Sequence, residues 1–244
     1  MRTSRNWRSD GFDRRRFLLL LAAAPLAAQV AEKANEGYKT EEGRERVARG
    51  LGDPDREERQ KPRELLERLD LERGDVVADI GSGVGFMIPY FLEVIGPEGK
   101  VYAEDIQQDF LDKVAEKKKA EQWSNVETIL GDQTDPKLPA GAVDLAFILD
   151  AYHHFNYPVE TMARVRESLK PDGRLAVIDF YRSRPHPNWS EDRLQEHIRL
   201  DRDGFADEIA SAGFELVETF DQLPHQYVLV FKKSEKAPAR PAGR

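Results

Sequence analysis

The fold is decided by one stretch, Val76-Val77-Ala78-Asp79-Ile80-Gly81-Ser82-Gly83-Val84-Gly85-Phe86. Its first five residues are largely apolar and β-branched, which predicts a short buried strand. Three alternating glycines follow, and they predict a tight turn in which the backbone approaches a ligand closely, because no Cβ intervenes. The amphipathic segment 86–95 predicts a helix after the turn. Its first N–H groups, together with Asp79 at the carboxyl end of the strand, would face that ligand.

The spacing of the glycines limits which ligand this is. A dinucleotide-binding turn would place its third glycine at position 86, where this chain has Phe86. A phosphate-binding P-loop requires Gly-Lys followed by Ser or Thr, and the stretch lacks it. The pattern that remains, D-x-G-x-G-x-G, resembles the first motif of the class I S-adenosylmethionine (SAM) methyltransferases. In that family the loop wraps the methionine part of the cofactor.

Length and composition indicate one medium-sized domain with extensions. The chain has 244 residues, of which 40% are hydrophobic and 34% charged, values typical of a globular protein with a highly charged surface. It contains no cysteine, which excludes disulfides, thiolate metal sites and cysteine nucleophiles. The formal net charge is −8, so phosphates would be repelled. We therefore expect no nucleic-acid partner.

The first thirty residues differ in kind from the rest. Residues 1–16 carry six arginines against two aspartates, and residues 17–28 are uncharged, apolar and too few to span a bilayer comfortably. The segment Asp13-Arg14-Arg15-Arg16-Phe17-Leu18 resembles a twin-arginine export signal. We expect residues 1–30 to direct export to the periplasm or the cell exterior, with membrane contact only through an uncleaved signal. The alternatives are a buried N-terminal helix or a membrane anchor, and a cytoplasmic protein if the signal is not used.

The rest of the chain divides into three predicted regions. Residues 31–61 carry dense charge of both signs, which favours a solvated linker; the alternative is a lid over the cofactor, with Tyr38 as the aromatic residue of interest. Residues 62–233 form the predicted SAM-binding domain. Residues 234–244 are rich in Pro, Ala and charge and are predicted to be a disordered tail.

Strands and helices alternate through residues 62–233. Apolar runs predict strands over 76–80, 100–105, 126–130, 142–149, 174–179, 214–219 and 226–232, and helices over 86–95, 108–121, 159–169 and 191–212. This alternation predicts an α/β fold with a doubly wound, mostly parallel sheet, closed by an antiparallel hairpin at one edge. The order is similar to the seven-stranded, Rossmann-like sheet of the SAM methyltransferases.

Acidic residues follow consecutive strands, where an open α/β sheet binds its ligand. The resemblance implies that Asp79, Gly81, Ser82, Gly83 and Gly85 hold the methionine part of SAM. It implies that Asp105 meets the ribose and Asp132 the adenine, and that Ile106 and Asp150 are further cofactor contacts. As alternatives, Asp105 would cap a helix and Asp132 would cap a turn. Glu104 takes a place that is commonly apolar, and we expect it to be exposed at an edge.

The segment Tyr152-His153-His154 follows the fourth strand, and many small-molecule methyltransferases carry a similar one. The resemblance implies that these three residues face the methyl acceptor. A histidine here would deprotonate the acceptor, or else hold the backbone. We expect no metal site, since no third ligand lies at a recognisable spacing. His197 is expected on the surface, with a place in the acceptor pocket as the alternative; Asp179 and Tyr181 are further candidates for facing the acceptor.

The sequence thus predicts SAM-dependent methylation of a small-molecule acceptor and leaves the oligomeric state open. Two alternatives remain. One is an exported protein that binds SAM or S-adenosylhomocysteine without turnover, because SAM is made in the cytoplasm. The other is a dinucleotide-dependent oxidoreductase, against which Phe86 argues.

Overall fold

The computed structural model describes residues 31–186 and 188–235. The predicted export signal and most of the predicted tail lie outside these residues. The helices are α1 (Glu41–Leu51), α2 (Arg56–Gln60), α3 (Pro62–Arg68), α4 (Ile88–Ile95), α5 (Gln108–Ala120), α6 (Pro158–Ser168), α7 (Glu191–His197) and α8 (Arg202–Ser211). The strands are β1 (Val76–Ile80), β2 (Lys100–Asp105), β3 (Val126–Leu130), β4 (Val143–Leu149), β5 (Leu169–Phe180), β6 (Phe214–Leu223) and β7 (Gln226–Lys233). Short 3-10 helices cover Asn35–Tyr38 and Tyr152–His154.

The strands form one seven-stranded sheet in the order β3-β2-β1-β4-β5-β7-β6. The first five strands in this spatial order, β3, β2, β1, β4 and β5, are parallel to one another. Strand β7 runs antiparallel to both β5 and β6. The predicted α/β class, the doubly wound sheet and the antiparallel hairpin at one edge are confirmed. Asp79 of β1 is in register with Ala103 of β2 and Phe147 of β4, so the carboxyl ends of these strands lie at one edge.

Both faces of the central strands β1, β2 and β4 are buried, as is typical of parallel strands. In β4, Ala146 and Ile148 contribute to one core, while Leu145 and Phe147 contribute to the other. The first core includes side chains of α6 and α8, and the second includes side chains of α3 and α4. Two helical layers therefore hold the sheet and leave its carboxyl edge available for a ligand.

The segment 31–61 is not the solvated linker that its charge favours. It is helical over α1 and α2, and Thr40 caps α1 by accepting a hydrogen bond from the Gly43 N–H at 3.1 Å. Arg56 and Gln60 are buried, with 8% and 6% of their surface exposed. The Arg56 guanidinium and the Gln60 side-chain N–H both meet the carboxylate of Asp150, far along the chain. A pattern of mixed charge does not reveal such a partner.

Other departures from the predicted pattern are local. The predicted helix over 191–212 is two helices, because Asp201 caps the start of α8. Strand β5 begins at Leu169 rather than at residue 174. Glu104 is 3% exposed and not at an edge, since β2 lies between β1 and β3. Over the described residues, none of the helices combines the length and apolar character needed to cross a bilayer.

Replacement of Phe147 tests the packing of the central strand. Phe147 is fully buried and meets the Phe91 ring edge-to-face at 5.1 Å between centroids. Phe147→Ala is expected to lower the free energy of unfolding by about 3–5 kcal/mol, because a large cavity would remain. Urea unfolding measures this change. The control is Leu216→Ala, at a residue that is 41% exposed, and it should change the free energy of unfolding by less than about 0.5 kcal/mol. Equal losses of stability in both variants would contradict the placement of Phe147 in the core.

Candidate functional site

A cavity of about 450 Å³ opens at the carboxyl edge of β1, β2, β3 and β4. The glycine turn forms one side of it, and Asn35, Tyr38, Leu51 and Arg56 of the N-terminal segment form another. The cavity therefore lies between the sheet and the segment expected to be a linker. Its position is the one that the strand order predicts for a ligand.

The glycine turn follows β1 with left-handed backbone angles at Gly81 and Gly83, whose φ values are +69° and +55°. A Cβ on Gly81 would lie 2.7 Å from the Cβ of Ala151, and one on Gly83 would lie 2.7 Å from Leu51 Cδ1. Both glycines and Ser82 line the cavity. Gly85 is not among the lining residues. A Cβ there would meet Ile88 and Val114 at 2.8 and 3.2 Å, so its position is set by packing on α4 and α5.

Asp79 lies at the end of β1 and lines the cavity. Burial raises the pKa of Asp79 to about 7; the Arg56 guanidinium lowers this pKa, and the neighbouring Asp105 raises it. A carboxyl group with this pKa gains from the approach of a cation, which would restore its ionised form.

Asp105 fixes the glycine turn and also borders the cavity. Its Oδ2 accepts a hydrogen bond from the Gly83 N–H at 2.9 Å, and its Oδ1 accepts one from the Gln107 N–H at 2.9 Å, just before α5. Burial raises the pKa of Asp105 to about 6, while these hydrogen bonds lower it. The next residue, Ile106, lines the cavity and is half exposed.

Glu104 is the cavity residue whose environment was predicted wrongly. Its Oε2 accepts a hydrogen bond from the Gly81 N–H at 3.3 Å, and a Cβ on Gly131 would lie 2.0 Å from its Oε1. Burial raises the pKa of Glu104 well above its ordinary value, and Asp105 raises it further. The sequence signal was present in the glycine at position 131, which leaves room for this carboxyl group.

Asp132 lines the cavity at the end of β3. Its Oδ1 accepts hydrogen bonds from the N–H groups of Thr134 and Asp135, both at 3.0 Å, and from the Thr134 hydroxyl at 2.9 Å. The Thr134 backbone hydrogen bond is the main cause that lowers the pKa of Asp132 to about 2. The residue therefore caps its turn and presents an ionised carboxylate at the cavity.

Asp150 lines the cavity with a left-handed φ of +56°. Its carboxylate accepts hydrogen bonds from the Gln60 side-chain amide at 2.6 Å and from the Gln226 side-chain amide. The Arg56 guanidinium lies 3.7 Å from Asp150 Oδ2 and 4.5 Å from the centroid of the Phe86 ring. Burial raises the pKa of Asp150 to about 6, and Arg56 lowers it. Neither Arg56 nor Gln60 was predicted as a site residue.

The residues predicted to face the acceptor separate in the structure. Of Tyr152, His153 and His154, only His154 lines the cavity. Tyr152 is fully buried and donates a hydrogen bond from its hydroxyl to Glu208 at 2.8 Å, so it faces the core. Asp179 is buried against His153 rather than in the cavity, and its Oδ1 lies 2.7 Å from His153 Nδ1.

Two further candidates on the acceptor side also differ from expectation. The Tyr181 hydroxyl donates to Asp221, and Tyr181 does not line the cavity. His197 is half buried rather than on the surface, with its ring centroid 5.1 Å from that of His154. Burial is the largest cause that lowers the pKa of His154 well below its ordinary value and the pKa of His197 to about 3.

Among the residues that the structure describes, acidic side chains outnumber basic ones around the cavity. The acidic lining residues are Glu32, Asp79, Glu104, Asp105, Asp132 and Asp150. The basic ones are Lys39 and Arg56. The arrangement favours a ligand that carries positive charge and disfavours one that carries phosphates.

Comparison with known proteins agrees with this geometry. Residues 78–177 match the family model of a methyltransferase domain. A SAM-dependent methyltransferase structure from Aquifex aeolicus superposes with a TM-score of 0.70 at 24% identity, covering 76% of this chain and 96% of that one. A mitomycin 7-O-methyltransferase structure gives a TM-score of 0.66 at 18% identity, covering 90% and 68%. The chain has the fold of the class I methyltransferases.

Curated relatives share the central part of the chain. Nocamycin O-methyltransferase of Saccharothrix syringae is 30% identical over 115 residues, which are 47% of this chain and 41% of the relative. Demethylmenaquinone methyltransferase of Listeria monocytogenes is 28% identical over 130 residues, 53% of this chain and 54% of the relative. The chain spans about half, or less, of the length of these relatives.

The buried carboxyl groups predict how stability depends on pH. Asp79 has a pKa near 3.8 when unfolded and about 7 when folded, so between these values the folded state binds more protons. Stability is therefore expected to fall as the pH rises from about 4 to 7. Between pH 5 and pH 7.5, the free energy of unfolding of Asp79→Asn should fall by about 2–3 kcal/mol less than that of the wild type. Urea unfolding at the two pH values measures it.

Asp172→Asn is the control for this pH dependence, because Asp172 is exposed. It should leave the difference between the two pH values unchanged. An Asp79→Asn protein that loses as much stability as the wild type between pH 5 and pH 7.5 would contradict the assignment of the buried charge.

Proposed function

We propose that this protein transfers the methyl group of SAM to a small-molecule acceptor. The observation that carries the proposal is the acidic cavity at the carboxyl edge, closed on one side by a glycine turn with no Lys or Arg of its own. The matched methyltransferase domain, residues 78–177, spans this turn, the strands β2, β3 and β4, and most of β5.

Each part of the cofactor would have its own residues in the cavity. Gly81, Ser82 and Gly83 would hold the methionine part with backbone groups, and Asp79 would face its ammonium group. Asp105 would accept hydrogen bonds from the ribose hydroxyls. Each of its oxygens already accepts one N–H hydrogen bond and retains a lone pair for another. Asp132 would meet the adenine amino group.

Charge supports SAM over the dinucleotide alternative. SAM carries a sulfonium and an ammonium group, and both would lie among carboxyl groups whose pKa values burial has raised. A nearby cation lowers those pKa values, so binding at neutral pH gains from ionisation of the carboxyl groups. A pyrophosphate would instead meet Asp79, Glu104 and Asp105, which is unfavourable.

The bound cofactor supplies a methyl group that its sulfonium already activates. The task left to the protein is to align the acceptor with that methyl group and to exclude water. Tyr38 and Leu51 would exclude water from the N-terminal side of the cavity. His154 would border the acceptor, with its ring oriented by Asn35, whose Oδ1 lies 2.8 Å from His154 Nδ1.

The acceptor is proposed to be a small molecule of the kind that the named relatives methylate. Nocamycin and demethylmenaquinone methyltransferases act on small molecules, by their names. A cavity of about 450 Å³ lies in the range of small-molecule sites. The half-exposed Tyr157 and Phe155 line its acceptor side and suit an apolar or aromatic skeleton.

Binding of SAM tests the proposal. The wild-type protein is expected to bind SAM saturably in calorimetric titration and not to bind NAD⁺. Asp105→Ala should weaken SAM binding by about 10–100-fold, because hydrogen bonds to a charged carboxylate contribute about 1.5–3 kcal/mol. The control is Asp112→Ala on the exposed face of α5, which should bind as the wild type does.

Thermal melting of both variants separates loss of the site from loss of the fold. A folded wild type that binds no SAM would overturn the methyltransferase proposal.

Formation of S-adenosylhomocysteine from added SAM, with a mixture of phenolic and quinol acceptors, separates the enzyme from a protein that binds the cofactor without turnover.

We also propose that the chain is exported through its twin-arginine-like segment. Arg14→Lys combined with Arg15→Lys is expected to leave most of the protein in the cytoplasm, because an export signal of this class is read at the paired arginines. Cell fractionation measures the distribution, and Arg5→Lys is the matched control. An unchanged distribution in the double variant would contradict export by this route.

A further inference from the structure

Three of the five histidines meet beside the cavity although they come from two distant segments. His153 and His154 lie in the 3-10 helix that follows β4, and His197 ends α7. The ring centroids are 4.1 Å apart for His153 and His154, 5.0 Å for His153 and His197, and 5.1 Å for His154 and His197. One ring nitrogen from each lies within 4.8 Å of the other two. We call these residues the histidine triad.

Hydrogen bonds determine which nitrogen His153 offers. Its Nδ1 lies 2.7 Å from Asp179 Oδ1, and Asp179 also accepts the His153 backbone N–H at 3.0 Å. A carboxylate only accepts, so Nδ1 carries the proton and Nε2 has a free lone pair. Nε2 is buried and has no hydrogen-bond partner among the described residues, and the residue is 1% exposed. An unpaired buried acceptor costs about 1–3 kcal/mol, which points to a missing ligand.

His154 offers its Nε2 for the same reason. Asn35 donates from its side-chain amide to the His154 carbonyl oxygen at 2.8 Å, and this contact orients the Asn35 amide. Asn35 Oδ1 then lies 2.8 Å from His154 Nδ1 and only accepts, so Nδ1 is protonated. Both adjacent histidines are therefore held by their Nδ1 atoms and present Nε2 lone pairs.

We propose that the histidine triad binds one divalent transition-metal ion, with Zn²⁺ as the expected occupant. Imidazole nitrogens are common ligands of Zn²⁺, and three protein ligands leave a fourth position open. A ligating histidine usually donates its other N–H to a carboxylate or carbonyl group, as His153 does to Asp179. The third ligand, His197, could not be found by spacing because it reaches the site from α7.

The ion would border the proposed acceptor site, since His154 lines the cavity. Activation of a methyl acceptor by the ion rests on the proposed methyltransferase function, whereas the metal site itself does not. An oxygen or sulfur atom of the acceptor that occupied the open position would have its pKa lowered by the ion. Its proton would pass to solvent, and the resulting anion would attack the methyl group and leave S-adenosylhomocysteine as the product. The acceptor class is then a phenol, hydroxyl or thiol that coordinates a metal.

Metal titration of the untagged, full-length protein tests the histidine triad. After dialysis against a chelator, Zn²⁺ titrated by calorimetry is expected to bind with one ion per chain. Co²⁺ should give the visible absorption of a four-coordinate nitrogen-ligated ion. His197→Phe should weaken Zn²⁺ binding by at least about 100-fold. Removal of a residue that only hydrogen-bonds a metal ligand typically has a smaller effect, about 10–100-fold. Phe keeps an aromatic ring beside Trp189, whose centroid lies 4.7 Å from that of His197.

His225→Phe is the matched control, because His225 lies outside the triad and its backbone carbonyl accepts from Tyr181 whatever its side chain is. This control should bind Zn²⁺ as the wild type does. Thermal melting reports whether each variant is folded, and His154→Phe provides a second ligand deletion. Absence of Zn²⁺ binding by the wild type would overturn the inference, as would wild-type affinity in either folded deletion variant.

A SAM titration of the same preparations keeps the two proposals distinguishable. Zn²⁺ binding without SAM binding would retain the metal site and reject the methyltransferase function. SAM binding without Zn²⁺ binding would retain the methyltransferase proposal and reject the metal site. Equal SAM affinity in His197→Phe and the wild type is expected, since His197 does not line the cavity.

Discussion

The rest of the structure depends on how carboxyl groups are accommodated at the end of the parallel sheet. Asp79, Glu104, Asp105 and Asp150 are packed together where burial is the largest cause that raises all four pKa values. Backbone N–H groups of the glycine turn offset part of that cost, through Gly83 and Gly81. A fold that keeps this arrangement gives up stability in order to present negative charge to a ligand, as binding sites often do.

Arg56 is the main opposing charge, and it comes from outside the sheet. Its guanidinium lowers the pKa values of both Asp79 and Asp150, and burial in turn lowers its own pKa. Breaking a buried charge pair by removal of one partner typically costs about 3–5 kcal/mol, because the remaining charge is left uncompensated. The N-terminal segment is therefore coupled to the site electrostatically, and the sheet alone would hold its carboxyl groups less favourably.

The sheet could be predicted from the sequence because its signals are local. Apolar runs, turn residues and the glycines at 81, 83 and 85 specify strands and turns within a few residues of themselves. The acidic residues at the carboxyl ends of β1, β2, β3 and β4 could be placed together for the same reason, since parallel strands bring these ends to one edge. Some inferences about which way a side chain faces near the end of a strand failed. Tyr152 and Glu104 are examples, because burial there depends on α8 and on the gap at Gly131.

Contacts between distant segments explain the remaining misses, and one short segment accounts for several of them. Asn35 orients His154, Tyr38 packs edge-to-face on His154 with centroids 5.1 Å apart, and Gln60 donates to Asp150. These three residues lie in a stretch whose composition favours a solvated linker, with a lid over the cofactor as the alternative, and the charge pattern does not specify any of their contacts. Movement of residues 35–60 would change the environment of the acidic cavity and of the histidine triad together, because the same residues contact both. The proposed cofactor and metal sites are thus parts of one arrangement that the N-terminal segment completes.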